Sequence, residues 1–253
     1  MLKEYLHKQR QSKPILLMTH IVIGHPSLAA SYEIAKAMVA AGVDLMELQI
    51  PFSEPIADGP VILKANQQAL AGGVTVQQCL DFGGRLAREF PIPFLFMTYY
   101  NILFKYGVAR FAQTAARLGL KGAIVPDLPP EEGADYLEAM ADQQLDPIFI
   151  YAPTTSEARM RMIAGHARGF IYCVARKGVT GQQTDFSRDL EHYLARCRQA
   201  TDLPLALGFG VKDKADIDFL TGKVDIAVIG TQTMRIVQEQ GVGAVEAFIR
   251  GLR

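Results

Sequence analysis

The chain has little cysteine, no excess of either charge and no long apolar run, and each shortage closes off a class of function. Its three cysteines, Cys79, Cys173 and Cys197, lie far apart and are odd in number. No Cys-x-x-Cys pair or Cys/His spacing offers a zinc or redox centre, so three reduced thiols are expected. Lys plus Arg and Asp plus Glu stand at 26 each among 253 residues. That balance gives no electrostatic reason to expect nucleic acid or an anionic membrane as a partner. No apolar stretch approaches the ~18–20 residues that span a bilayer. The opening segment, MLKEYLHKQRQSK, lacks the apolar core and small-residue cleavage site of a secretion signal, which makes the cytoplasm the expected compartment. Also missing is any Pro/Gly/Ser linker or shift in composition, so residues 1–253 are read as one domain.

What is present is alternation. Nearly half the residues (49%) are apolar, enough for a sizeable core. Short apolar runs at Leu16–Ile23, Asp44–Ile50, Phe94–Tyr99, Gly122–Val125, Pro147–Tyr151, Gly169–Val174, Pro204–Gly208 and Asp225–Ile229 read as strands. Between them lie helical patterns at Leu28–Ala41, Val76–Glu89, Val108–Leu118, Glu131–Gln144, Glu157–Ala167, Arg188–Ala200 and Lys214–Leu220, with a last helix over Thr233–Gly251. Eight strands each followed by a helix imply parallel pairing with helices outside. Continuously apolar strands such as IFIY and GAIV fit a sheet buried on both faces. A doubly wound open sheet satisfies the same pattern. The count of eight, the Gly-rich turns after the last two strands and the ~250-residue length favour a closed (β/α)8 TIM barrel. Leu2–Arg10 is predicted as a short N-terminal helix over the barrel floor.

Active sites of such barrels lie on the loops at the C-terminal ends of the strands. Two of those loops are long: Pro51–Pro60 after the second strand, and 176–187 (RKGVTGQQTDFS) after the sixth, which reads as a lid or a plain surface loop. The seventh strand ends in Leu207-Gly208-Phe209-Gly210 and the eighth in Ile229-Gly230-Thr231. Barrels often hold phosphate between these two turns and a helix N-terminus, where glycine lets backbone N–H groups reach the anion. Gly210, Gly230 and Thr231, with Gly181 in the loop after strand six, form the candidate phosphate site. The competing reading is ordinary turns and a helix cap.

Along the second strand, Glu47 and Gln49 share one face while Met46, Leu48 and Ile50 share the other. The apolar three must meet the helices, which turns Glu47 inward. A carboxylate there is costly to bury and needs a partner or a purpose. Asp58, in the following loop, can reach the same space or cap the helix that begins near Pro60. Tyr172 presents its phenol to a pocket or packs in the core. Asp127, ahead of Pro129, Pro130, Glu131 and Glu132, reads as a helix cap.

At this point the residues resemble a known family. ELQIPFSEPIADGP is similar to the tryptophan synthase α-subunit motif ELGxPFSDPxADGP, and MTYYN, VPDLPPEE, APTT, KGVTG and GFG match family segments in order. The resemblance runs from about the first strand to the last helix. It implies a retro-aldol lyase that splits indole-3-glycerol phosphate into indole and glyceraldehyde 3-phosphate. It implies no metal or organic cofactor in this chain, pyridoxal phosphate belonging to a β-subunit partner. By that resemblance Glu47 matches the acid–base carboxylate and Asp58 the carboxylate facing the indole N–H. Tyr172 matches a pocket tyrosine, Thr180 and Gly181 a closing loop, and Gly210, Gly230 and Thr231 the phosphate cradle. Pro51, Phe52, Ser53 and Glu54 match the loop that meets the β subunit.

The chain departs from the pattern in places. Gln49 replaces a glycine beside Glu47, so its amide is expected to intrude on the indole pocket. His20 and Val22 replace Phe and Thr, His25 replaces Asp, Glu54 replaces the Asp of PFSDP, and Ala175 and Lys212 stand where serines are usual. Thr231 replaces a serine and keeps the hydroxyl. Two other readings therefore stay open: a catalytically weakened partner that activates a β subunit, and a related barrel enzyme acting on another phosphorylated substrate.

Overall fold

The computed structural model describes residues 2–175, 183–208 and 210–253, with residues 183–187 described by backbone alone. Eight strands, β1 (Leu16–Val22), β2 (Leu45–Gln49), β3 (Phe94–Met97), β4 (Gly122–Ile124), β5 (Asp146–Tyr151), β6 (Ile171–Val174), β7 (Leu205–Gly208) and β8 (Ile226–Ile229), pair in sequence order. All pairs are parallel, and β1 closes on β8. The helices of the described residues are α1 (Leu2–Arg10), α2 (Leu28–Ala40), α3 (Pro60–Ala71), α4 (Val76–Glu89), α5 (Tyr100–Tyr106), α6 (Val108–Leu118), α7 (Ala134–Asp142), α8 (Glu157–His166), α9 (Gln183–Ala200), α10 (Lys214–Leu220), α11 (Thr231–Gln240) and α12 (Val245–Arg250). The barrel expectation holds. None of these helices is long and apolar enough to cross a membrane.

Alternation divides each strand between two cores. Leu16, Met18, Leu45, Leu95, Ile148 and Ile226 point inward and join Leu2 and Leu6 of α1, which plug the barrel floor. Leu17, Met46, Leu48, Ile50 and Phe96 point outward into the helix layer. Helix α4 starts where its sequence says it should: Thr75 Oγ1 accepts from Gln78 N–H, and Gln78 Oε1 accepts from Thr75 N–H. It can lie close to β3 because a Cβ on Gly83 would stand 2.6 Å from the Phe96 ring.

Below the floor, fully buried Asp44 gathers the chain ends. It accepts from Leu17 N–H at 2.8 Å and from Arg253 at 2.7 Å, and pairs with Lys13. Tyr5 of α1 donates to its carbonyl at 2.9 Å.

Three helical expectations need correction, and one helix was not foreseen. Helix α9 begins at Gln183 rather than Arg188, inside the stretch 176–187 read as a loop, of which 176–182 lie outside the described residues. The stretch 131–144 is a short 3-10 turn at Pro130–Glu132 followed by α7, interrupted at Gly133. The last helix is two, α11 and α12, parted at Gly241, whose φ of 83° is open mainly to glycine. Helix α5, right after β3, was not anticipated.

Candidate active site

The inward positions of β1 and β2 change character on climbing the barrel. Below are Met18 and Leu45; above are His20, Glu47 and Gln49, each almost fully buried. His20 and Glu47 are register partners on adjacent strands. Glu47, at 3% exposure, accepts on Oε1 from His20 Nδ1 at 2.9 Å and from the Tyr172 hydroxyl at 3.3 Å. Burial is the largest single influence on His20 and pulls its proton affinity down. The charge and hydrogen bond of Glu47, with smaller help from Asp58 and Gln49, outweigh it and leave the pKa above 6.5. Burial and then the Glu47 charge push the Tyr172 phenol well above 10, so it is a donor rather than a phenolate.

Asp58 does not cap α3: the N-cap there is Gly59, without a side-chain bond. Instead Asp58 Oδ2 accepts from Gln49 Nε2 at 2.6 Å and from the Tyr99 hydroxyl at 3.1 Å. Burial pushes the Asp58 carboxyl up, partly offset by the charge of His20 and by those two bonds. Tyr99 was missed in the sequence. Its hydroxyl accepts from Ala57 N–H at 3.1 Å, and its ring stacks on Phe52 at 5.1 Å. Counting by two from Leu95 through Met97 reaches it, one residue pair beyond the end of β3.

A cavity of about 1010 Å³ opens above these groups, large enough for a small ligand. Glu47, Asp58 and Tyr172 line one part of it; Gly210, Gly230 and Thr231 line it as well. Thr231 begins α11, and the N-cap Gly230 makes no side-chain capping bond, so no side chain competes there for the first N–H groups of the helix. Thr180 and Gly181 lie outside the described residues. Gln49 does not line the cavity. Its side chain is buried beneath Asp58, so the expected intrusion into the pocket is not found.

Two other expectations shift. Asp127 does act as a cap, but for α5 rather than for the helix that follows it, accepting from Tyr100 N–H at 2.9 and 3.1 Å. Of the four loop residues expected to face a partner, Pro51 is buried and Phe52 is half-buried against Tyr99; Ser53 and Glu54 are exposed. Among the described residues no cluster of His, Cys, Asp and Glu is arranged to hold a metal ion.

The comparisons agree with one another. The family described as "Tryptophan synthase alpha chain" matches residues 6–250. The chain is 65% identical to the tryptophan synthase alpha chain of Syntrophotalea carbinolica over 253 residues, covering all of both chains. It is 61% identical to that of Desulforapulum autotrophicum over 252 residues, again covering all of both. Its fold is similar to a crystal structure of tryptophan synthase from M. tuberculosis in its aminoacrylate-bound form, with a TM-score of 0.91 at 28% identity, over 99% of this chain and 97% of that one. Tryptophan synthase subunit alpha from Legionella pneumophila gives 0.90 at 27% identity, over 99% and 96%.

Proposed function

Because the chain belongs to the tryptophan synthase alpha chain family, we propose that Glu47 and Asp58 perform the cleavage of indole-3-glycerol phosphate from two sides of one cavity. The protein is a lyase of tryptophan biosynthesis acting on that substrate. The phosphate lies against the turns at Gly210, Gly230 and Thr231, where backbone N–H groups and the α11 dipole favour an anion. The indole lies toward Asp58. Glu47 delivers a proton to indole C3 and takes one from the glycerol hydroxyl beside the breaking bond. Positive charge then develops on the ring, and the Asp58 carboxylate stabilises it through the indole N–H. Tyr172 and His20 hold the Glu47 oxygen between them.

The observation that carries this reading is the shared cavity: the buried carboxylate and the anion-binding turns line one space. The test is indole release from indole-3-glycerol phosphate. Glu47→Gln should lose about 10²–10⁴-fold in kcat while remaining folded, and Asp58→Asn about 10²–10³-fold. Wild-type turnover in folded Glu47→Gln would remove Glu47 from the mechanism.

A β subunit is the proposed partner. Support comes from the segments that follow the neighbouring strands β2 and β3: the loop after β2 exposes Ile56 (81%) and helix α5 exposes Phe104 (69%). The cytoplasm is the proposed compartment, in keeping with three buried free thiols. The reading as a weakened, non-catalytic partner loses its motive, since Gln49 is tied to Asp58 rather than placed in the cavity.

A further inference from the structure

His20 has no proton-transfer role in the cleavage described so far, yet its placement is expensive. The imidazole is 4% exposed, with Nδ1 on Glu47 Oε1 and Nε2 buried without a hydrogen-bond partner. An orphaned buried polar atom costs about 1–3 kcal/mol. The barrel fixes this arrangement, because His20 and Glu47 are paired inward residues on hydrogen-bonded strands.

We propose that His20 is a positioning residue that stores the working proton of Glu47, the pair holding one proton between Nδ1 and Oε1 and Glu47 exchanging it with the substrate. The proposal rests on the assignment of Glu47 as the acid–base group. The proton starts on Nδ1, crosses to Oε1 and leaves Glu47 for indole C3. The bond from C3 to the glycerol carbon then breaks, and its electron pair moves into the ring toward the nitrogen, quenching the positive charge there. The glycerol hydroxyl becomes the aldehyde carbonyl, and its proton passes to Glu47 and back to Nδ1. One proton goes out and one returns.

The benefit lies in the pH range over which that proton is kept. A lone glutamic acid with a pKa near ~4.3 is almost wholly ionised at neutral pH. A His–Glu pair keeps one proton until the imidazole gives it up. The titratable groups standing around the ring among the described residues are Glu47 on β2, Asp58 in the loop after it and Tyr172 on β6. His25 stands across a small chamber behind β1, beside Thr233 of α11. Burial disfavours the protonated ring; the two carboxylates favour it and prevail.

The test compares pH profiles of indole release by wild type, His20→Asn and Glu47→Gln from mildly acid to mildly alkaline conditions. Asparagine can still donate to Oε1 but cannot carry the extra proton. Expected for His20→Asn are a KM within about threefold of wild type, a kcat lower by about tenfold or more, and an alkaline limb moved down by about one pH unit or more. An unmoved limb, with or without loss of kcat, overturns the proposal. If Glu47→Gln turns over like wild type, the Glu47 assignment itself fails. If Glu47→Gln is silent while His20→Asn titrates like wild type, only the role of His20 fails. Should His20→Asn not fold, nitrogen-15 histidine NMR of the unaltered protein decides. The ring whose signals move in Glu47→Gln should stay protonated at a pH where a free imidazole, with a pKa of about 6.5, has become neutral. A neutral ring there overturns the proposal.

Discussion

Replacing Gln49 with glycine tests whether the amide obstructs the substrate or aims a carboxylate. Its Nε2 donates to Asp58 Oδ2 at 2.6 Å, and its side chain is absent from the cavity lining. A hydrogen bond to a charged group contributes about 1.5–3 kcal/mol, and each 1.36 kcal/mol is tenfold in rate. If Asp58 must be aimed at the indole N–H, losing this bond lowers kcat/KM roughly 10- to 150-fold. Stability should change less, because the loss of the same bond from the fold is partly offset. Glycine in a strand costs about 0.5–1 kcal/mol. The substitution also removes Gln49 Oε1, a buried acceptor without a partner, whose desolvation costs about 1–3 kcal/mol. Gln49→Met separates bulk from hydrogen bonding, because it keeps the length of the side chain and removes the amide. Indole release is the assay, with urea unfolding of each variant alongside. Both variants should be slow. Faster cleavage by the glycine variant, with the methionine variant unchanged, would refute the reasoning and restore the amide as an obstacle.

Other outcomes follow from the same geometry. Asp58→Asn should unfold at higher urea than wild type even as cleavage fails, because burial raises the carboxyl pKa in the folded state. The sign is that of a raised acid. Both states are protonated below the unfolded value of 3.8, and the ionised form is disfavoured once pH passes the folded value. The gain should therefore grow as pH rises and vanish in strong acid; a gain independent of pH would contradict the cause given. Asp44→Ala should cost about 3–5 kcal/mol in urea unfolding, since it strands Lys13 and Arg253 beside an empty buried site. An effect below about 1 kcal/mol, the level of a surface pair, would show that the chain ends are not fastened there.

The strands were legible because inward and outward residues alternate between two apolar cores, and the structure's ends differ from the sequence reading by no more than two residues. Helix ends were harder. The periodic pattern runs on through Gly133 and Gly241, and what breaks it is backbone conformation, which apolar spacing does not encode. Helix α5 escaped because it follows β3 so closely that Thr98 and Tyr99 read as the strand's continuation. Within the site, Glu47 was visible from period two alone, and Asp58 from its loop. The links between them were not. That Gln49 bonds Asp58, or that Asp127 reaches back to Tyr100, depends on loops folding over neighbouring strands. Strand parity cannot give those distances.

Asp44 and Glu47 show how partner chemistry separates a structural carboxylate from a working one. Both precede or lie on β2, three residues apart, and both are buried. Asp44, beneath the barrel, is met by the ammonium of Lys13, the guanidinium of Arg253 and a backbone N–H. Such partners suit the stabilising end of the barrel. Glu47, at the mouth, is met among the described residues by an imidazole and a phenol. Among the described partners of the two carboxylates, the imidazole is the group of the type that exchanges a proton near neutral pH. A carboxylate surrounded by fixed cations can only hold the fold together. One whose partner can give the proton up is equipped to pass it on, and that difference in company, more than burial, is the argument for proposing Glu47 as the reacting group.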